Sequence, residues 1–492
     1  MAALVSLAVA TASTVSLPAI QVEPRPPVGD VPAQRAHGPV TPRTEPGVQP
    51  GRWRTLWARL LTDHLVRNSL YLVLSSGVQA ALGFVFWIIA ARLFSAADVG
   101  IASSLITATA LIAYLALLGL NSTLVRYLPG ARDPDGLITA GLLLVALSGA
   151  GIALIYLLLT PAIAPRLAFV EHRPLLAIGF VMLTGAAAVN LLTDSIFIAS
   201  RRADYAALTD GGIGGITKIV FAVALVGTGA YGLFAASVGG FAAAAVASLV
   251  LMITALRWRP TLRKPLRTLR PLLRFSAANY AGNVFSLLPT LVVPLIVLDR
   301  IGAPEAAYYF VAFQVATLLY AATYAVGQTF LAEGSHADED WEELLRRSRR
   351  VLTALCLPGC LVLIAAAHWV LLAFGPRYSQ NGTLCLILLV VAAIPIAMNT
   401  WLQTVLRLLG QLRPIVVSNG VYGVAICGLA WVLAPYGLNA LTAAWVVGAL
   451  LGTAAAAVPC MTALRHRRAA MLPRHRRTAR TRSAPGASGP GR

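Results

Sequence analysis

Two charged side chains stand inside apolar runs of this sequence: Lys218 in GGITKIVFAVAL and Asp194 in VNLLTDSIFIA. A charge at mid-membrane depth costs about 2.5–3.5 kcal/mol on insertion scales, so each needs a partner or a use. Lys218 can snorkel to the nearer surface or present its ammonium to an anion within the bilayer. Asp194 can pair with Arg201, Arg202 or Lys218, or take up and release a proton as a coupling site for an ion gradient. It is the one acid read inside an apolar run. Four arginines mark run ends: Arg126 and Arg407 on one side, Arg92 and Arg300 on the other. They are topology markers or the mouths of a passage that receives an anion. The polar set Gln79, Asn121, Asn190, Asn279, Asn283, Gln314, Gln328, Asn399, Gln403 and Asn419 runs through the chain. Asn279 and Asn283 are four apart and share a helix face, as do Gln314 and Gln328, fourteen apart. Such stripes line a wet cavity or tie helices together.

The elements that carry these residues follow from composition. Of 492 residues 58% are hydrophobic and 12% charged, about half the charged share of a soluble chain. The apolar residues come in blocks of about 20, the length that crosses some 30 Å of hydrocarbon. Twelve spans are predicted: 69–92, 99–122, 137–159, 175–199, 213–229, 231–256, 275–298, 306–331, 351–374, 382–406, 414–433 and 438–463. The predicted fold is an all-α polytopic membrane protein of about twelve transmembrane helices. Residues 1–51 read as a disordered Pro- and Arg-rich tail, with 1–20 a poor signal peptide for want of a basic start. Residues 52–67, with Trp53 and Trp57, read as an amphipathic interfacial segment. A basic cytoplasmic linker, 257–274, separates six-helix bundles at 68–256 and 275–464. A basic disordered tail, 465–492, follows.

The basic residues test this topology. With the N-terminus inside, 33 of 39 fall on the cytoplasmic side, and Arg92, Arg166, Arg173, Arg300 and Arg377 on the other. That split follows the positive-inside rule and puts both termini in the cytoplasm. The net charge of +20 is then topology and contact with anionic membrane lipids rather than nucleic-acid binding. The five cysteines lie in apolar segments and read as packing residues. Cys356 and Cys360 share a face but lack the ligands to complete a metal site. No cofactor is implied.

An internal repeat relates the halves. Arg67-Asn68-Ser69 and Arg274-Phe275-Ser276 open spans one and seven, 207 positions apart. Asp98 and Glu305, after the same spans, are also 207 apart, and Arg201 and Arg407, closing spans four and ten, 206. The bundles are therefore predicted to be pseudo-symmetric, as in transporters with a site at the repeat interface. Pro289 and Pro294 in span seven and Pro395 in span ten break the hydrogen-bond ladder, which makes span seven the expected gating element.

Four stretches then carry a resemblance: ARLFSAADVG (91–100), GLNSTLVRYLP (119–129), RIGAPEAAYYFVA (300–312) and FGPRYSQNGTLCLILL (374–389). In order and spacing they resemble the oligosaccharide flippase family, over about residues 65 to 465. That family lies within the superfamily of multidrug, oligosaccharidyl-lipid and polysaccharide exporters. The resemblance implies two bundles around a central cavity. It also implies transfer of a polyprenyl-diphosphate-linked oligosaccharide across the inner membrane for surface polysaccharide biosynthesis, in company with glycosyltransferases and a polymerase. The diphosphate then gives Lys218, Arg126, Arg407, Arg92 and Arg300 an anion to meet. Asn279, Asn283 and Gln314 become sugar contacts. The alternative is a multidrug or cation antiporter of the same superfamily, which calls for acids in the spans. An enzyme needs clustered carboxylates or a large catalytic loop. The one acidic cluster, 338–343 beside Arg346 to Arg350, reads as a charged surface helix, so the chain is read as no enzyme.

The topology predicts that a cysteine placed beside Arg173 is labelled from outside intact cells and one beside Lys264 is not. The reverse pattern overturns the orientation.

Overall fold

The structure, a computed structural model, describes residues 81–261, 284–334 and 341–480. The N-terminal tail, the interfacial segment, most of the linker, residues 481–492, Gln79, Asn279 and Asn283 lie outside the described residues, whereas 465–480, expected as the start of a disordered tail, form the last turns of a helix.

Twelve principal helices follow one another, and no strand occurs among the described residues. The first six are α1 (Ala81–Leu93), α2 (Ala96–Ala116), α3 (Pro134–Ile163), α4 (Pro174–Ala199), α5 (Ala203–Ala224) and α6 (Gly229–Thr254). The second six are α7 (284–300), α8 (Ala303–Gly334), α9 (Trp341–Leu372), α10 (Pro376–Leu408), α11 (Leu412–Leu433) and α12 (Leu438–Arg480). Ten of them are long and apolar enough to cross a membrane, and only the described parts of α1 and α7 are shorter.

Local chemistry sets the ends. Ser95 Oγ accepts from the Asp98 amide and donates to the Asp98 carboxylate at 2.6 Å, a capping pair that opens α2. Asp133 caps α3, and Pro174 and Pro376 supply the first turns of α4 and α10. α4 closes with Arg201 left-handed at φ +57°, α10 with Gly410 at φ +71°. In both, the next amide reaches back five residues, Arg202 to Phe197 and Gln411 to Leu406. Arg201 is thus level with Gly410 rather than with Arg407. The repeat is 207 at Ala96 and Ala303, which open α2 and α8, and has drifted to 209 at Gly229 and Leu438, which open α6 and α12.

Three sequence readings change. The predicted second span, 99–122, ends as a helix at Ala116. Leu118 and Gly119 turn left-handed, at φ +49° and +77°, and a short helix, Leu120–Tyr127, restarts the chain. The predicted fifth span starts ten residues too late. α5 begins at Ala203 and widens to a π-helix over Ala207–Gly214, a stretch whose Asp204, Asp210 and glycines depress its hydropathy. The prolines do not interrupt their helices: α10 is continuous through Pro395 and α7 through Pro289 and Pro294.

The halves meet chiefly along α2 and α8. A Cβ on Gly100 of α2 would lie 1.7 Å from the Ala303 carbonyl at the start of α8. Trp87 of α1 packs on Phe310 at 4.6 Å, and Phe84 meets Phe374 edge to face at 5.1 Å. Arg166, after α3, approaches Gly302. All these contacts lie at the end marked by Arg92 and Arg300. Every residue of α8 from Ala306 to Phe313 is buried. One face further along, Leu318, Ala325 and Thr329 are exposed. The same helix face is covered by the other half at one end and open toward the other.

Gly100→Ala should wedge the closed seam, with a loss of about 1–3 kcal/mol from overpacking. The readout is a lower melting temperature in detergent, and an unchanged one would place the seam elsewhere.

Candidate functional site

Three buried polar side chains, Asn190, Asp210 and Lys218, come together inside the first half, with buried Asp194 one turn along α4 from the first. Asn190 and Asp194, four apart, share one face of α4. Asp210 comes from the π-helix of α5 and Lys218 from the regular helix beyond it. Asn190 Nδ2 donates to Asp210 Oδ1 at 2.9 Å, while Asn190 Oδ1, buried, meets no donor from the described residues. The Lys218 ammonium lies 3.5 Å from the Phe241 ring centre of α6, and Asp210 supplies the opposing charge. Its stem crosses Gly240, where a Cβ would meet Lys218 Cγ at 2.3 Å. A Cβ on Gly240 would also lie 2.7 Å from the Gly214 carbonyl, so α5 and α6 touch backbone to backbone.

Asp210 is the residue that sequence reasoning missed. A span starting at 213 left it in a loop, so Asp194 was counted as the only acid within the spans. The wider turn of a π-helix re-aims side chains, and such turns concentrate at functional sites. The usable signal was the run GGIGG, which permits close helix approach but lowers apparent hydropathy. Of the partners considered for Asp194, Arg202 is held elsewhere. It pairs with Asp204 at 3.0 Å and stacks on Tyr205 at 3.8 Å.

The four end arginines fall into separate surroundings. Arg126 is exposed on the short helix Leu120–Tyr127. Arg407 is half-buried, beside the Tyr324 hydroxyl of α8. Arg300 stacks on Trp431 of α11 at 3.6 Å, with Asp299 3.9 Å away. Arg92 reaches across the halves to the Ala373 carbonyl.

The amide stripes divide between packing and opening. Asn399 accepts from Ser418 at 3.1 Å, Gln403 donates to Asn419 at 2.7 Å, and Ser418 also donates to the Gly452 carbonyl. These bonds tie α10, α11 and α12 together. Gln314 differs. It lies one turn beyond Phe310 and one before exposed Leu318, where the cover of α8 ends. Its Oε1 is buried and meets no donor from the described residues. Gln328 is half-buried about four turns further along.

Two six-helix halves joined along one seam, with buried charge in the first, are the architecture of a multi-pass membrane protein. Solved structures of this fold include the lipid II flippase MurJ in an inward closed conformation. It has a TM-score of 0.62 at 13% identity over 79% of this chain and 86% of that one. An inward-facing multidrug resistance MATE family transporter of the MOP superfamily gives 0.60 at 16%, over 83% and 96%. A MOP superfamily transporter from Pyrococcus furiosus, noted for the reverse polarity of its binding pocket, gives 0.54 at 16%, over 82% and 94%. No curated protein matches the chain by sequence. Residues 89–381 match the polysaccharide biosynthesis protein family, and the chain belongs to that family.

Removing the carboxylate in Asp210→Ala should lower the melting temperature, because it strips the buried ammonium of its counter-charge. Adding Lys218→Met should restore much of the loss, with a coupling of about 1 kcal/mol or more in the double-mutant cycle. Strictly additive losses in detergent melts would separate the two residues.

Proposed function

We propose that this transporter carries a polyprenyl-diphosphate-linked oligosaccharide from the inner to the outer leaflet of the cytoplasmic membrane, for surface polysaccharide biosynthesis. The observation that carries the reading is the unequal cover of α8. The halves close at the Arg92 and Arg300 end and part toward the end where Arg126, Arg407 and the basic loops lie. By the positive-inside rule the open end faces the cytoplasm, where such a lipid-linked sugar is made and where both termini lie.

The parts of the cargo have different needs. The diphosphate is drawn to guanidinium groups at the open mouth, Arg407 beside Tyr324 and the exposed Arg126. Sugar hydroxyls suit the free amide oxygen of Gln314 at the top of the opening and Gln328 below it. Asn279 and Asn283, on span seven, would serve the same purpose. The lipid tail needs no polar path and stays in the bilayer. No bond is made or broken, so the work is positioning and alternating exposure. Arg300 and Arg92 stand at the exit. Glycosyltransferases and a polymerase would supply and consume the cargo.

The cluster of Asn190, Asp194, Asp210 and Lys218 lies within the first half rather than between the halves. Its role here is coupling: a change of protonation or counter-ion at Asp194 alters the balance of charge around Lys218 and with it the packing of α5 on α6. The same cluster supports a second reading. Two buried acids rather than one fit a multidrug or cation antiporter of the superfamily better than the sequence did.

Reconstituted vesicles separate the two. The protein should expose a polyprenyl-diphosphate oligosaccharide on the opposite leaflet, and Lys218→Ala and Asp194→Asn should slow it about tenfold, near 1.4 kcal/mol in barrier, with folded protein retained. Wild-type rates in both variants refute the coupling roles. Efflux of organic cations without sugar-lipid movement selects the antiporter.

A further inference from the structure

At the closed end one side chain hydrogen-bonds across the two halves. Arg92, in the last turn of α1, donates to the Ala373 carbonyl from Nε at 3.0 Å and from Nη2 at 2.9 Å. Nη2 also lies 3.5 Å from the Leu372 carbonyl. These oxygens lie at the end of α9, the negative end of its helix dipole, where the Leu372 carbonyl also accepts from the Gly375 amide at 3.1 Å. Beside the bond, Phe84 of the first half meets Phe374 of the second. The loop is fixed by Gly375 at φ +141°, a conformation that side-chain-bearing residues rarely adopt.

We infer that Arg92 is a reversible latch, and that its release from the α9 carbonyls is a step in opening this end of the transporter. Three features suit it to the task. Its acceptor is a neutral backbone carbonyl rather than a carboxylate, so the bond biases a conformation without locking it. The guanidinium is exposed, so on release it finds water and leaves no buried charge behind. The device is also one-sided: 207 positions on, at the matching end of α7, stands Asp299. Arg92 thus joins the halves here rather than serving as an anion contact at the mouth. The inference rests on the reading of two halves that open alternately, but not on the identity of the cargo.

The test needs no substrate. In a full-length chain whose five cysteines are replaced by alanine, Ala306→Cys reports on the closed end, where Ala306 is 1% exposed. Thr329→Cys reports on the open face of α8, and Ala307→Cys serves as a second buried reporter. Purified protein in detergent is treated with a bulky polar maleimide. Arg92→Ala should raise labelling at 306 and 307 about tenfold, the order expected for losing a hydrogen bond to a charged group, and lower it at 329. Arg92→Lys, which keeps the charge but not the two-point donor, should fall between. Unchanged labelling at 306 overturns the latch. A rise at both ends means general loosening and overturns it equally. Loss of sugar-lipid transport in vesicles with these labelling shifts intact would count against the cargo and leave the latch standing.

Discussion

A polar group carried into hydrocarbon must be satisfied by the protein, because no water is there to do it. Most of the interior of this molecule follows from that constraint. Along α2, Ser103, Ser104 and Thr107 give their hydroxyls back to carbonyls one turn earlier. Thr109 reaches Thr184 of α4, and Ser148 of α3 reaches the Ala116 carbonyl. In the second half Trp445 donates to the Tyr309 hydroxyl and Tyr320 to the Leu389 carbonyl. The Asn190, Asp210 and Lys218 group is the same rule applied to full charges. Departures from the rule therefore carry information. Among the described residues, two of the buried oxygens that meet no donor, those of Asn190 and Gln314, lie where transport chemistry is proposed, and others, such as the Tyr156 and Tyr378 hydroxyls, lie elsewhere.

The fold was legible because hydrophobic length and arginine placement are read residue by residue. The helices α6, α8 and α11 begin and end within three residues of the apolar blocks, while α9 starts ten residues before its block and α12 runs seventeen past its own. The errors came where a helix is built from residues that do not look membrane-like. In α5 the glycines that bring its backbone against α6 also lower its hydropathy, so the span was truncated and Asp210 lost with it. At the break after α2, Gly119 marks the turn, but nothing announces that Leu118 before it is left-handed as well. The site was less legible than the fold, since composition along a helix does not say what a face meets. Asn399, Gln403 and Asn419 proved to be ties between helices, and Gln314 an open group, though all are amides in apolar spans. Arg92 and Arg300 looked alike as end markers. One caps a helix of the opposite half and the other stacks on an indole within its own.

The repeat shows how two similar halves come to do different work. The turns that open α2 and α8 remain in register, and it is these turns that meet at Gly100 and Ala303. Away from the seam the halves have diverged. Arg201 and Gly410 hold equivalent left-handed turns with different residues. The first half holds the ionisable cluster, whereas the second has an aromatic interior of Tyr309, Phe313, Tyr320 and Trp445. Charge and aromatic packing are divided between the bundles, and the register is kept at the seam.

The last helix reaches far beyond the bundle it belongs to. α12 runs 43 residues, about 65 Å, more than twice the depth of the hydrocarbon it crosses. Arg467, stacked on Trp341 at 4.2 Å, braces its shaft to the first turn of α9. A stiff rod fixed to one bundle at its base is a lever. A small tilt of that bundle would become a wide sweep at the far tip, well clear of the membrane surface.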